Sequence, residues 1–140
     1  MSQSEAIGVL NEESQSGDTV INDAGTLAGD LHTLWDTSNG TNFSPGVWLL
    51  HNGYPLPAGL GVRMTQPEGE GYVFIGDQAY LLSPSELVTA LQENWKVTVV
   101  LSENHGAQSI RALQVVAVGL VLATSCGIET NLIIGSKVST

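Results

Sequence analysis

Cysteine occurs once, at Cys126, in a chain of 140 residues, which excludes an internal disulfide framework and any multi-cysteine metal cluster. A cytoplasmic setting is the simplest expectation. Lys and Arg are scarce as well: four against fourteen Asp and Glu, for a formal net charge of −10. That balance excludes a basic groove for a nucleic-acid backbone and disfavours attraction to an anionic membrane surface. Long apolar runs are missing. The uncharged stretch from Ala112 to Ile128 is interrupted by Gln114, Thr124 and Ser125 and falls short of a membrane span. Met1-Ser2-Gln3-Ser4-Glu5 has neither the basic nor the apolar region of a signal peptide. What is present is 42% apolar residues, enough to build one core in one domain.

Charge is distributed unevenly. Met1 to Val62 holds seven acids and no Lys or Arg, and the cations Arg63, Lys96, Arg111 and Lys137 all follow. A solvated acidic surface is the expected consequence. The chain has no internal repeat and no low-complexity run. Ala6, Val9 and Leu10 suit a short amphipathic helix over residues 5–10. Thr19-Val20-Ile21 reads as a short buried strand, and Thr26 to Trp35 as a second helix. Gly40 to Gly46 is loop-like. Tyr54 to Met64 fits a helix entered through Pro55 and Pro57.

The middle of the chain is more definite. Gly71-Tyr72-Val73-Phe74-Ile75 is an apolar, β-prone run stopped by Gly76-Asp77. Ser83, Pro84 and Glu86 have the spacing of a capping box, which predicts a helix from Pro84 to about Asn94 burying Leu87, Ala90 and Leu91. Val97-Thr98-Val99-Val100-Leu101 is a second buried strand, ended by Asn104-His105-Gly106. Strand, helix, strand with continuous apolar strands predicts a parallel sheet in an α/β domain.

Ligands of open α/β sheets bind beyond the carboxyl ends of the strands. Asp77 lies just past the first central strand and Asn104 just past the second. If the strands are neighbours, the side chains converge. A carboxylate oxygen, an amide oxygen and a loop carbonyl are the hard ligands that Mg²⁺ takes while keeping positions for phosphate or water. Gly76 allows a phosphate to approach the backbone closely. The residues alone leave a second reading open, in which Asp77 and Asn104 satisfy only local turn amides.

Gly76-Asp77-Gln78, twenty-five residues, then Asn104 resembles the thiamine-diphosphate motif of Gly-Asp-Gly, a spacer of this length, and Asn. A more specific likeness is carried by Leu27-Ala28-Gly29-Asp30-Leu31-His32, Leu34-Trp35-Asp36, Gly61-Val62-Arg63-Met64, Gln66-Pro67-Glu68-Gly69-Glu70, Glu86-Leu87-Val88-Thr89-Ala90, Lys96-Val97-Thr98-Val99-Val100 and Ser102-Glu103-Asn104-His105-Gly106. Together these resemble the thiamine-diphosphate-dependent 3D-(3,5/4)-trihydroxycyclohexane-1,2-dione hydrolases of myo-inositol catabolism, over about Ser4 to Gln114. The resemblance implies a three-layer α/β sandwich with a mostly parallel sheet, the family's diphosphate-binding domain. It implies Asp77, Asn104 and the backbone carbonyl of Gly106 as Mg²⁺ ligands, and thiamine diphosphate held around Gly76, Asp77, Gln78, Ala79, Asn104 and Gly106. It also implies a cyclic diketone substrate cleaved at a C–C bond to 5-deoxy-glucuronate.

The departures from that family are specific. Its members are several times longer and carry a pyrimidine-binding domain with an activating glutamate, which nothing in this chain resembles. The expected protein is therefore a fragment, inactive alone, that forms a homodimer or needs a partner chain bearing the pyrimidine domain. One alternative is the diphosphate subunit of a two-chain enzyme resembling acetolactate synthases or decarboxylases. Another is a fragment that is not catalytic and binds no ligand. Gln78 replaces the third motif glycine, and Asn52 stands where the family has an apolar residue before Gly53-Tyr54. Gly46-Val47-Trp48-Leu49-Leu50-His51-Asn52 replaces Glu-Phe-Gly-Tyr-Ser-Cys-Met. Codons for Val121 to Gly127 can be chosen that, read two bases later, give the family's Leu-Gly-Asn-Glu-Leu-Arg. Residues from about 44 to 52, and everything after Gln114, are accordingly read as out-of-frame translation. The chain divides into a diphosphate-domain part, 1–114, and a tail, 115–140. Trp35, Trp48 and Trp95 are expected to pack, His32 to pack or lie on the surface, His105 to shape a turn or face the cofactor, and Cys126 to be inert. His51 is assigned no role.

Overall fold

A computed structural model describes residues 1–44, 51–120 and 133–134. Of the stretches expected to be out of frame, about 44–52 and 115–140, residues 45–50, 121–132 and 135–140 lie outside the described residues, Trp48 and Cys126 among them. Eleven elements are present among the described residues: α1 (Gln3–Glu13), β1 (Thr19–Asn22), α2 (Thr26–Leu34), β2 (Asn42–Ser44), α3 (Pro55–Thr65), β3 (Gly71–Gly76), α4 (Asp77–Tyr80), α5 (Glu86–Gln92), β4 (Thr98–Ser102), α6 (Gln108–Val118) and β5 (Ile133–Ile134).

The apolar strands pair in the order β2-β1-β3-β4-β5. The first four are parallel, and β5 pairs antiparallel with β4 at the edge. Strand side chains alternate between faces, and the core divides accordingly. Val20, Tyr72, Phe74 and Val100 pack with Ile7 of α1 and Leu27 and Leu31 of α2. Ile21, Val73, Ile75 and Val97 pack with Leu56 and Leu60 of α3 and Ala90 of α5. Each face of the sheet thus carries a helical layer, and the fold is a three-layer α/β sandwich. No helix of the described residues is long and apolar enough to cross a membrane.

Several local expectations shift. The capping box lies in α1, where Ser2 Oγ accepts the Glu5 N–H at 3.2 Å and the Glu5 carboxylate accepts the Ser2 N–H at 2.7 Å. Those bonds hold the Glu5 carboxyl below the usual range. Ala6 and Ile7 are the buried residues of that helix, while Val9 is exposed. Ser83 forms no cap: its hydroxyl donates to the Gly53 carbonyl at 2.9 Å, a tertiary contact that outcompetes the local one. The helix begins at Glu86, after a turn in which Glu86, Leu87 and Val88 donate three residues back. Ala90 is buried there, Leu87 is half-buried, and Leu91 is exposed. The predicted loop 40–46 contains β2, held by its ladder to β1. α6 continues through Gln114 to Val118.

Trp35 packs edge-on against Phe74, and its indole N–H donates to Thr41 Oγ1 at 3.1 Å. Trp95 is half-buried against the second core cluster. His32 meets Phe43 edge-on. Trp35 and Trp95 thus pack as expected, and His32 is an exposed surface residue with one ring contact.

Candidate functional site

Because β1, β3 and β4 are adjacent and parallel, their carboxyl ends open on one side of the sheet. Each strand gives way to a polar residue there: Asp23 after β1, Asp77 after β3, and Asn104 beyond β4. The register of Gly76 with Ser102 brings the last two ends level. All six residues singled out from the sequence, Gly76, Asp77, Gln78, Ala79, Asn104 and Gly106, line one open cleft of about 450 Å³. Asn52 lies on the same cleft.

Asp77 is buried, and its two carboxylate oxygens serve two amides. Oδ1 accepts the Gln78 N–H and Oδ2 accepts the Gly106 N–H, each at 2.7 Å. The loop after β4 is thereby tied to the end of β3. The Gly106 carbonyl accepts the Gln108 N–H at 2.9 Å, and the Asn104 carbonyl accepts the Gln108 side-chain amide at 2.6 Å. The side-chain oxygen of Asn104 is different. Oδ1 is buried, faces no protein donor, and belongs to a residue lining the cleft. A buried polar atom without a partner is costly and uncommon, so this one calls for an explanation.

Asp23 was not singled out from the sequence. Its N–H continues the ladder by donating to the Phe74 carbonyl at 3.1 Å, and its Oδ2 accepts the Gly76 N–H at a long 3.4 Å. Oδ1 is buried and meets no donor at hydrogen-bonding geometry. Burial pushes its carboxyl up from the usual range, with the Ala24 and Gly76 amides pulling weakly the other way. The signal was available: Asp23 follows the β1 run as Asp77 follows the β3 run, and Gly25-Thr26 opens a helix after it.

Two helices begin on the cleft, α2 after Gly25 and α6 after Ala107, and neither has a side-chain cap. The Gln108 N–H is taken by the Gly106 carbonyl, and uncapped N–H groups of a helix's first turn are donors that anions satisfy well. The cleft thus combines carboxylate and amide oxygens, suited to a hard cation, with helix N-termini lacking side-chain caps, suited to phosphate oxygens. A metal–diphosphate pair matches both halves of this chemistry. Among the described residues no three His, Cys, Asp or Glu side chains cluster as a metal site. The carboxylates on the cleft are Asp23 and Asp77, and amide and carbonyl oxygens line it beside them.

The profile of the family described as "Thiamine pyrophosphate enzyme, C-terminal TPP binding domain" matches residues 23–131. Among curated proteins, the chain is 35% identical over 114 residues to a 3D-(3,5/4)-trihydroxycyclohexane-1,2-dione hydrolase of Clostridium botulinum (strain Eklund 17B / Type B). It is 36% identical over 114 residues to the protein of that name from Clostridium perfringens (strain 13 / Type A), and 33% over 114 residues to that of Lacticaseibacillus casei. Each alignment covers 81% of this chain and 18% of the relative. The chain thus spans under a fifth of the length of the curated relatives it matches.

Proposed function

The chain belongs to the thiamine pyrophosphate enzymes, through their C-terminal TPP-binding domain, and on that premise we propose that its cleft holds the diphosphate of thiamine diphosphate through Mg²⁺. The observation that carries the metal is the buried, unpartnered Oδ1 of Asn104 on the cleft that Asp77 lines. Asp77, Asn104 Oδ1 and the Gly106 carbonyl are the proposed ligands. Gly76, Gln78 and Ala79 form the backbone around the phosphates. Bound there, thiamine diphosphate supplies the carbanion chemistry at a substrate carbonyl, and the residues of this chain hold and orient it.

The substrate proposed is the cyclic diketone of the relatives' name, opened by hydrolysis of a C–C bond to 5-deoxy-glucuronate, in the cytoplasm. The chain alone is proposed to be inactive, because nothing in its sequence resembles the glutamate-bearing pyrimidine domain. Two assemblies are proposed, a homodimer or a complex with a partner chain, and of these only a partner chain bearing the pyrimidine domain would supply that glutamate. The out-of-frame origin of residues from about 44 to 52 and 115–140 belongs to the same reading. The coding sequence tests it: base shifts that restore family residues in both stretches support it, and failure to restore them overturns it.

Calorimetric titration with Mg²⁺ and thiamine diphosphate tests the site. Binding is expected for the wild type. Asp77→Ala should cost more Mg²⁺ affinity than Asn104→Ala, since one removes a charged ligand and the other a neutral one. Gln78→Gly should tighten binding by clearing a side chain from the phosphate side. Affinity indifferent to both Asp77 and Asn104 would remove the assignment.

A further inference from the structure

The loop that joins β4 to α6 makes a reversal that L residues rarely make. His105 has φ of 66°, and Gly106 follows at φ of 117°. Glycine adopts such values freely, but histidine does so only when its surroundings hold it there. Two residues matter to the cleft on either side of that strain: Asn104 before it, and Gly106, whose N–H reaches Asp77 Oδ2 at 2.7 Å. If His105 relaxed to negative φ, the chain would leave β4 in another direction. Asn104 Oδ1 and the Gly106 N–H would then no longer share one cleft.

The hold on His105 is visible. Glu103 Oε1 accepts the His105 N–H at 3.1 Å and lies 3.6 Å from His105 Nδ1. The Glu103 side chain is 16% exposed, so water competes poorly for that carboxylate. A carboxylate accepting an amide two residues on closes a small ring that fixes the turn. No other side-chain bond to the His105 backbone is present among the described residues.

We propose that Glu103 is a positioning residue of the site: its carboxylate holds the left-handed turn at His105 that presents Asn104 and Gly106 to Asp77. The proposal rests on the reading of Asp77 and Asn104 as the cofactor-holding pair, and it adds a residue that touches neither metal nor phosphate. Glu103 acts only through the backbone, so its signature is separable from that of a ligand.

Two measurements test it on the full chain. The first is amide hydrogen exchange in ligand-free protein, and the second is the Mg²⁺-dependent thiamine diphosphate titration. Glu103→Ala should speed exchange at the His105 and Gly106 amides and weaken cofactor affinity, each by about tenfold, the scale of a single strained residue released. Glu103→Gln keeps an acceptor oxygen and should stay within about twofold of wild type on both readouts, given a neutral acceptor of similar reach. Glu103→Ala combined with His105→Gly should recover part of the loss in Gly106 protection and cofactor affinity, because glycine adopts the turn without steric strain, while the amide at position 105 stays fast for want of its acceptor. Unchanged Gly106 exchange in Glu103→Ala overturns the proposal, as does a folded double variant that recovers nothing. If Asp77→Ala abolishes binding while Glu103→Ala leaves it intact, the site stands and the positioning role falls. If the wild type binds no cofactor, the function reading falls, and exchange at Gly106 still decides whether Glu103 sets the turn.

Discussion

Asp77 is tied into the fold before any ligand arrives, and replacing it should cost stability in metal-free buffer. The bond from the buried Gly106 N–H to Oδ2 is charge-assisted and contributes about 1.5–3 kcal/mol. The bond from the Gln78 N–H to Oδ1 resembles a helix cap at the start of α4 and adds about 0.5–1 kcal/mol. Removing a buried carboxylate also removes its desolvation cost, which offsets part of that sum. Asp77→Ala should therefore destabilise the ligand-free protein by about 2 kcal/mol. Asp77→Asn keeps one acceptor oxygen and presents an NH₂ to the other amide, so about half the loss is expected. With a typical urea slope, a loss of about 2 kcal/mol lowers the unfolding midpoint by roughly 1 M. The assay is urea unfolding of wild type and both variants with chelator present. Asp77→Ala as stable as wild type would refute the reasoning, and so would Asp77→Asn less stable than Asp77→Ala. Either result would mean that the loop after β4 is held by something other than Asp77.

A Cβ added at Gly59, in α3, would lie 2.5 Å from Cγ2 of Val73, which is fully buried and has nowhere to retreat. Gly59→Ala should thus cost about 1–3 kcal/mol by overpacking, more than the gain in helix propensity of up to about 1 kcal/mol. Gly61→Ala in the same helix meets open space and should stabilise by about 0.5–1 kcal/mol, so matched denaturation curves that move together would count against the packing assignment. The carboxyl of Asp23 is raised above its ordinary 3.8, so the folded state holds that proton more tightly than the unfolded state. Stability is then lost as pH rises through the window above 3.8, and the penalty is complete once Asp23 ionises in the folded state. Asp23→Asn should stabilise the protein at neutral pH, with the difference vanishing below about pH 3.8, and a pH-independent difference would exclude the burial effect. Truncation after Gln114 should raise solubility, because Val115, Val116 and Leu120 are exposed and the run 115–122 is uncharged and free of proline. Lower solubility would instead credit the tail with a supporting strand, as the pairing of Ile133 and Ile134 with β4 suggests.

The sheet was legible because its strands are continuous apolar runs. Residues buried on both faces leave no other reading for Gly71 to Ile75 or Val97 to Leu101. The cleft followed from them, since a polar residue just past such a run in a parallel sheet has one place to go. What the sequence hid was tertiary. The motif at Ser83 satisfies every local rule for a cap, yet its hydroxyl serves Gly53, thirty residues away in sequence. Leu91 has the spacing of a core residue, but α5 is only seven residues long and turns that position outward. β2 is a three-residue strand, too short for periodicity to register, and only its pairing with β1 defines it. Asp23 escaped because β1 spans four residues, so the polar residue after it looked like part of a loop.

The same burial that organises the cleft sets a tension within it. Asp23 Oδ1 and Asn104 Oδ1 are both buried without protein partners, just past the ends of β1 and β4, the strands that flank β3 from opposite sides. Each such atom costs stability in the ligand-free state, and a fold selected for stability alone would fill both places with apolar side chains. The Gly76 and Gly106 amides are already bound to Asp23 Oδ2 and Asp77 Oδ2, and neither orphan has a protein hydrogen-bond partner. Partners from outside the chain would satisfy both. The two orphans differ in charge, and the difference sorts their roles. Asn104 offers a neutral oxygen that a cation accepts without further adjustment. Asp23, with its raised carboxyl, accepts an incoming phosphate only if it is protonated or if a cation intervenes. A diphosphate arriving with its metal meets both conditions at once, whereas a bare anion meets only the helix N-termini and is repelled by both carboxylates. On the proposed reading the cleft takes the pair together, and its affinity for either member alone should then be the weaker one.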